Sequence, residues 1–272
     1  MEDMIGRQIG RGGTSTVYEW GKDKVIKVYK PHVTDATIQA EEYIVNILNT
    51  CNLDIPKYIN TIEFNGKKAL IFERLKGRAL FEFIMESPDD PKIAYKFAKM
   101  HHEIHNRSIN VLPSHNDFLK QRIIELSSIL GEKVADKLLD ILNSIPTKNM
   151  LLHGDYQPLN IIVESNRYIA IDWNGASLGN PLLDVAWSCM TLSSPAISHL
   201  LDDKKADIVH RFKNEYLSNY CKIAKVSEDE ILRCLPIVAV RRLYDNNMCD
   251  NDISRQEYKW LHELINQERV DI

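Results

Sequence analysis

His153-Gly154-Asp155-Tyr156-Gln157-Pro158-Leu159-Asn160, with Ile171-Asp172-Trp173 further on, is the stretch that decides how this chain is read. The apolar run Met150-Leu151-Leu152 before it reads as a short buried strand. Pro158 stops regular structure, so Asp155 projects from a loop just past a strand end. That position suits a general base. Asn160 lies five residues beyond Asp155. The alternating run to Val163, a turn at Ser165-Asn166 and the run from Tyr168 to Asp172 read as a hairpin that returns Asp172 beside Asn160. An amide oxygen and a carboxylate held together are hard ligands suited to Mg²⁺, with phosphate oxygens and water completing the octahedron. Taken singly, Asp155 and Asn160 read as loop caps and Asp172 as a turn residue. At this spacing the three together imply phosphoryl transfer to a hydroxyl.

That chemistry needs further parts upstream, in order. Ile9-Gly10-Arg11-Gly12-Gly13-Thr14-Ser15-Thr16-Val17 is a glycine-rich turn between two β-type runs, fitting a loop whose backbone amides lie over nucleotide phosphates. Ser15 stands where the usual pattern has a third glycine. A plain hairpin turn is the ordinary explanation of such glycines, and a dinucleotide fold would need a helix next; Val17-Tyr18-Glu19-Trp20 reads as strand instead. Lys24 to Lys30 alternates, placing Lys27 on one face with Val25 and Tyr29, where a cation among apolar neighbours needs an anionic partner. Phosphate oxygens and a helix glutamate would supply it. Lys24 and Lys30 sit at strand ends and read as solvated. The spacing predicts a helix from Thr34 or Asp35 to about Asn49. Within it Glu41 shares a face with Ile38, Ile44, Val45 and Leu48, whereas Glu42 aligns with Asn46 and Asn49 as well as Val45, so Glu41 is chosen as the partner of Lys27.

With these residues in place the chain resembles the aminoglycoside phosphotransferase and choline kinase superfamily, small-molecule relatives of the protein kinases, over nearly its whole length. The resemblance implies Lys27 on the α- and β-phosphates of ATP, Glu41 holding Lys27, Asp155 taking the proton of the attacking hydroxyl, and Asn160 and Asp172 binding Mg²⁺. Ala69-Leu70-Ile71-Phe72-Glu73-Arg74-Leu75 resembles the last small-lobe strand running into the hinge, where backbone groups near Glu73 and Leu75 would meet adenine. Leu178 to Ala186 resembles the segment whose aspartate, here Asp184, braces the catalytic loop; Asn180 departs from the aspartate often found there. The fold implied is α+β and protein-kinase-like. It has an antiparallel β-sheet N-lobe with one helix over residues 1–74, then a hinge and a mainly helical C-lobe over 75–272.

Composition adds bounds. The chain has 272 residues, enough for one bilobal unit, and 44% hydrophobic residues, ordinary for a substantial core. The start Met1-Glu2-Asp3 lacks an apolar signal region, and no apolar run approaches the roughly 20 residues needed to cross a bilayer. Five scattered cysteines, Cys51, Cys189, Cys221, Cys234 and Cys249, fit reduced thiols in the cytoplasm better than a disulfide framework or a zinc site. A net charge of −4 gives no basic footprint for nucleic acid. No membrane partner is expected, and a monomer satisfies the reading. Ser87-Pro88-Asp89-Asp90-Pro91 breaks structure and caps a helix over about 91–106. His101, His102 and His105 on that helix read as core and hydrogen-bonding groups rather than metal ligands, since no third ligand is evident. Phe118 to Leu130 and Glu132 to Ile145 read as scaffold helices.

Two features separate small from protein acceptors. Only eight residues lie between Asp172 and Pro181, too few for the activation segment on which protein kinases dock a peptide. Gly154 precedes the base where many protein kinases have arginine, so no guanidinium is there to read a phosphorylated loop. The expected activity is transfer of the γ-phosphate of ATP to a hydroxyl of an aminoglycoside, amino alcohol or sugar-like acceptor. A nucleotide-binding pseudokinase or adaptor is the alternative, and an atypical protein kinase a more distant one. Tyr244 to Asp252 holds three aspartates (Asp245, Asp250, Asp252) and no basic residue; it reads first as a solvated loop and second as a lure for an amino-cation. Trp173, Trp187, Tyr244 and Trp260 include candidates for an aromatic cage, with Trp187 and Trp260 favoured as core.

Overall fold

The structure, a computed structural model, describes residues 5–107, 109–246 and 252–266. The chain divides into two compact units. The first takes the chain as far as Leu80 together with Asn160–Gly175. The second takes Phe81–Leu159 and the chain from Ala176. Against the expected boundary at residue 74, the first unit therefore extends further and gains the hairpin after Asn160.

In chain order the first unit contains β1 (Ile5–Arg11), β2 (Ser15–Trp20), β3 (Lys24–Tyr29), α1 (Asp35–Asn49), β4 (Tyr58–Phe64), β5 (Lys67–Glu73) and the short β6 (Arg78–Ala79). The next segment is helical: α2 (Leu80–Glu86), α3 (Pro91–His105), α4 (His115–Glu125), α5 (Ser127–Leu130) and α6 (Glu132–Ser144), closed by β7 (Met150–Leu152). After the loop come the hairpin β8 (Ile161–Glu164) and β9 (Arg167–Ala170), then β10 (Ser177–Gly179) and α7 (Pro181–Leu192). Five helices follow: α8 (Pro195–Leu200), α9 (Asp203–Ala224), α10 (Glu228–Leu232), α11 (Leu235–Asn246) and α12 (Asp252–Asn266).

In the first unit, β1, β2, β3, β5 and β4 form an antiparallel sheet in that order. Alternation along the strands sorts side chains to its two faces. One face, with Tyr29, Tyr58 and Leu70, packs with Ile38 and Val45 of α1, and the other gathers Trp20, Ile26, Ala69 and Ile71. The Thr34 hydroxyl caps α1 by accepting the Thr37 N–H at 3.2 Å, satisfying one of the amides that open a helix. The β8–β9 turn is Ser165-Asn166, with φ of 50° and 66°. Two successive left-handed residues match the twist of a tight hairpin, and asparagine tolerates that conformation better than most. β8 pairs with β6, which draws the hairpin into this unit.

In the second unit α3 lies against α9. Phe97 stacks on Tyr156 (centroids 4.3 Å apart) and meets Phe212 and Tyr216 at 5.3 and 4.9 Å. The buried Tyr156 donates its hydroxyl to the Phe97 carbonyl at 2.8 Å, so the loop after β7 is tied to α3 by its own aromatic residue. Asp90 caps α3 and Pro91 opens it, a favoured place for a residue without an N–H. The scaffold expected over 118–130 is two helices, α4 and α5, and starts earlier because Ser114 caps α4. No helix among the described residues is long and apolar enough to cross a membrane.

Candidate active site

The first unit holds an ion triad in which Lys27 and Glu41 are buried and Asp172 is partly exposed. Lys27 Nζ donates to Glu41 Oε1 at 2.6 Å and to Asp172 Oδ1 at 2.7 Å, and the Tyr29 hydroxyl donates to Glu41 Oε2 at 2.8 Å. Burial alone would depress the Lys27 ammonium, but the charges of Asp172 and Glu41 outweigh it and hold its pKa above the ordinary lysine value. The helix partner is Glu41; Glu42 turns to the Tyr58 hydroxyl and Lys68. Sequence reasoning missed Tyr29, although strand alternation had already placed it on the face of Lys27. The Lys27–Asp172 contact spans 145 residues and left no local signal. Asp172 has a φ of 62°, a left-handed conformation that costs a non-glycine residue about 1–2 kcal/mol and concentrates at functional positions. The Ile171 N–H donates to the Asn160 carbonyl at 2.9 Å, so the base of the hairpin joins the two segments that carry Asn160 and Asp172. Their side chains offer one amide oxygen and one carboxylate, a hard donor set that fits Mg²⁺.

The glycine-rich turn joins β1 and β2, closed by the Gly12 N–H donating to the Ser15 carbonyl at 2.9 Å. A methyl added at Gly13 would meet nothing within 4 Å, one at Gly12 only the Ser15 carbonyl at 3.9 Å, and one at Gly10 only Val17 at 3.5 Å or beyond. Neither internal packing nor a positive φ demands glycine at positions 12 and 13. Open space beside the backbone is what a phosphate chain requires. At the end of β5 the Glu73 N–H is taken by the Lys57 carbonyl at 2.9 Å, and Leu75 lies beyond the strand.

The second unit holds the Asp155 loop. Gly154 has a φ of 80°, a conformation that arginine would adopt only with strain, which gives the residue before Asp155 a backbone reason to be glycine. Asp184 Oδ2 accepts the His153 N–H at 2.7 Å and Oδ1 the Gly154 N–H at 3.0 Å. The same Oδ2 faces His101 Nε2 at 3.1 Å and His105 Nε2 at 3.3 Å, while the Nδ1 atoms of these rings lie 2.7 Å from the hydroxyls of Tyr216 and Tyr220 respectively. Two i,i+4 pairs, one on α3 and one on α9, thus mesh so that each tyrosine donates to a histidine and each histidine donates to Asp184. Burial works against the Asp184 charge, yet the histidine hydrogen bonds outweigh it and hold its pKa well below the ordinary carboxylate value. Burial, reinforced by His105, pushes His101 down to about 3, so it is neutral at pH 7. His101, His105 and Asp184 bring three ligand atoms within 4.8 Å of one another, and hydrogen bonding within the protein accounts for all three.

Asp155 itself is held at both oxygens. Trp187 Nε1 donates to Oδ1 at 3.0 Å and Gln157 Nε2 to Oδ2 at 2.9 Å. Neither donor was legible as such, because tryptophan in an apolar helix reads as core. Asn180 caps α7 by accepting the Leu182 N–H at 3.0 Å and donates through Nδ2 to the Pro146 carbonyl at 2.8 Å, a bond that aspartate could not make.

The acidic stretch near the C-terminus differs from the expected loop. Tyr244, Asp245 and Asn246 belong to α11, whose buried Ile237, Val238, Val240 and Leu243 extend the helix past residues that favour turns. Asp245 lies 3.5 Å from Arg241, so its charge is already answered; Asp250 lies outside the described residues, as does the Asp252 side chain. The aromatic candidates serve protein groups: Trp173 Nε1 donates to the Ala170 carbonyl, Arg241 stacks on Trp187 at 3.8 Å and Arg122 on Tyr244 at 3.9 Å. Trp260 is half-buried on α12.

A five-stranded antiparallel sheet with one helix, a lysine–glutamate pair and a braced aspartate loop define a protein-kinase-like phosphotransferase fold. The chain belongs to the phosphotransferase enzyme family, whose model matches residues 5–208. Among solved structures it resembles a thermostable mutant of aminoglycoside phosphotransferase APH(4)-Ia, with a TM-score of 0.67, 16% identity and coverage of 96% of this chain and 93% of that one. The streptomycin–ATP–APH(2″)-IIa ternary complex gives a TM-score of 0.59 at 19% identity, over 95% and 92% of the two chains. A LicA homolog of Mycoplasma capricolum subsp. capricolum is 25% identical over 136 residues, 49% of this chain and 53% of that protein. The chain thus spans about half the length of this curated relative.

Proposed function

We propose that the protein transfers the γ-phosphoryl group of ATP to a hydroxyl of a small molecule. The observation that carries this reading is Lys27, buried and bonded at once to Glu41 and Asp172. A lysine so held presents a fixed cation suited to nucleotide phosphates, and the glycine-rich turn of Gly10, Gly12, Gly13 and Ser15, open at Gly12 and Gly13, suits the same phosphate chain. Asn160 and Asp172 would hold Mg²⁺, which when bound neutralises charge on the transferring group. Asp155 is the base that accepts the hydroxyl proton. Leu75, with the backbone about Glu73, receives the adenine. A solved relative in complex with ATP and streptomycin supports both the nucleotide and a small acceptor. An aminoglycoside, an amino alcohol and a sugar-like alcohol all satisfy the base. The thiols of Cys51, Cys189, Cys221 and Cys234 are free, which supports a reducing, cytoplasmic setting.

The test is Mg²⁺-dependent ADP production over a panel of hydroxylated amines, sugars and antibiotics, with Asp155→Asn as control. Turnover with at least one small acceptor, lowered by about 10²–10⁴-fold in the variant while nucleotide binding persists, is the expected result. Nucleotide binding without turnover on any acceptor would instead make the chain an adaptor.

A further inference from the structure

Helix α7 reads the loop after β7 almost residue by residue. Asp184 takes the N–H groups of His153 and Gly154, Trp187 donates to the Asp155 carboxylate, and the Ser188 hydroxyl donates to the Tyr156 carbonyl at 2.7 Å. Positions 184, 187 and 188 lie three and four apart and share one helix face. One rigid element therefore sets both the backbone of the loop and the orientation of its acidic side chain.

Trp187 is suited to that second task. Trp187 is 4% exposed, so it is fixed by packing, and a buried indole N–H needs an acceptor. The acceptor it has is Asp155 Oδ1. From α11, Arg241 lies over the ring at 3.8 Å, and its own buried guanidinium is 3.5 Å from Asp245. Gln157 Nε2 donates to the other oxygen, Oδ2, at 2.9 Å. With both oxygens bonded, rotation of the carboxylate is restrained. A general base must meet its proton within a few tenths of an ångström, and such preorientation is worth much of its effect.

We propose that Trp187, clamped by Arg241, is a positioning residue that aims the Asp155 carboxylate at the acceptor hydroxyl, an assignment that rests on the phosphotransfer reading above. It acts through Asp155 and need not touch the acceptor. It also means that the face of Trp187 covered by Arg241 is not available to a cationic acceptor, since a guanidinium already occupies it.

Two measurements on the full chain test this. Trp187→Phe keeps a ring beneath Arg241 and removes the donor together with part of the buried ring. Its kcat should fall by about 10- to 100-fold, with KM for ATP within about 2-fold of the unsubstituted protein. The second measurement needs neither this variant nor turnover: the indole N–H resonance of Trp187, one of four tryptophans, should lie downfield and move upfield when Asp155→Asn replaces the charged acceptor with a neutral one. A Trp187 resonance indifferent to Asp155→Asn, or a Trp187→Phe protein with unaltered kcat, overturns the positioning role and leaves phosphotransfer standing. No turnover in the unsubstituted chain overturns phosphotransfer and the positioning role together.

Discussion

Gly154 donates its N–H to Asp184 Oδ1 at 3.0 Å while holding a φ of 80°, so the residue before the base is constrained by conformation and by a buried charge at once. A side chain there would face the left-handed penalty of about 1–2 kcal/mol and pull the loop from Asp184. Gly154→Arg, the residue common at this place in protein kinases, should lower stability by at least that amount. Urea denaturation checks it. A loss smaller than about 0.5 kcal/mol would mean that the loop relaxes freely.

Asn180→Asp separates the two bonds that Asn180 makes. The carboxylate still caps α7, but it loses the Nδ2–H donated to the Pro146 carbonyl and sets an acceptor against an acceptor. The expected cost is about 1–3 kcal/mol. Thermal melts of the two proteins at neutral pH measure it, and equal stability would show that the Pro146 bond contributes nothing.

The Lys27–Glu41 and Lys68–Glu42 pairs invite direct comparison. Both carboxylates lie on α1, yet the Lys27 and Glu41 side chains are 8% and 4% exposed and those of Lys68 and Glu42 are 43% and 26% exposed. Breaking the buried pair leaves Lys27 with Asp172 alone and the Tyr29 hydroxyl without its acceptor, at a cost of about 1–3 kcal/mol, whereas an exposed pair contributes below about 1 kcal/mol. Glu41→Ala should therefore destabilise the protein several-fold more than Glu42→Ala. It should also weaken ATP binding, which calorimetry can read. Equal effects would place the lysine elsewhere.

What the sequence made legible, and what it did not, divides along contact range. Helical periodicity distinguished Glu41 from Glu42 as the partner of Lys27, Thr34 marked a helix start, and Ser165-Asn166 marked a hairpin, because each signal lies within a turn or two of chain. The mesh of His101, His105, Tyr216 and Tyr220 on Asp184 spans 79 to 115 residues, and nothing in the local pattern of either helix announces it. Trp187 was legible as buried but not as a donor, since apolar surroundings hide which single polar atom matters. At Asp245 the turn preference of aspartate lost to the apolar stripe of α11, the ordinary way in which packing overrides propensity.

Two buried histidines should dominate the acid side of the stability curve. Burial lowers His101 and His115 to about 3, with His105 adding to the first and Arg241 to the second. The unfolded chain, with histidine near 6.5, binds protons that the folded protein refuses, so their contribution is fully present above about pH 6.5 and is lost as pH falls toward 3. Each group should add a slope of roughly 1.4 kcal/mol per pH unit in that window. Asp184, held low by the histidine bonds, adds loss in the same direction only below the ordinary carboxylate pKa. Denaturation series between pH 4 and 8 should show stability rising with pH, and His115→Asn should remove about one proton from the slope. A flat curve between pH 4 and 6.5 would show that these rings titrate normally.

The glycine loop offers the cleanest separation of folding from function. At Gly13 an added methyl meets nothing within 4 Å and the backbone is not left-handed, so Gly13→Ala should leave stability within about 0.5 kcal/mol or raise it slightly by stiffening the unfolded chain. If the missing side chain exists to let phosphates approach, the same methyl should raise the Kd for ATP by about 3- to 10-fold, because the nearest heavy atoms it can meet are those of the ligand. Gly179→Ala is the opposite control. Its methyl would fall 2.8 Å from His115 Cβ and from Leu152 Cδ1, so it should cost stability. Melting temperature and ATP affinity of the two variants, measured side by side, decide the matter: if Gly13→Ala binds ATP as tightly as the unsubstituted protein, the turn is only a turn.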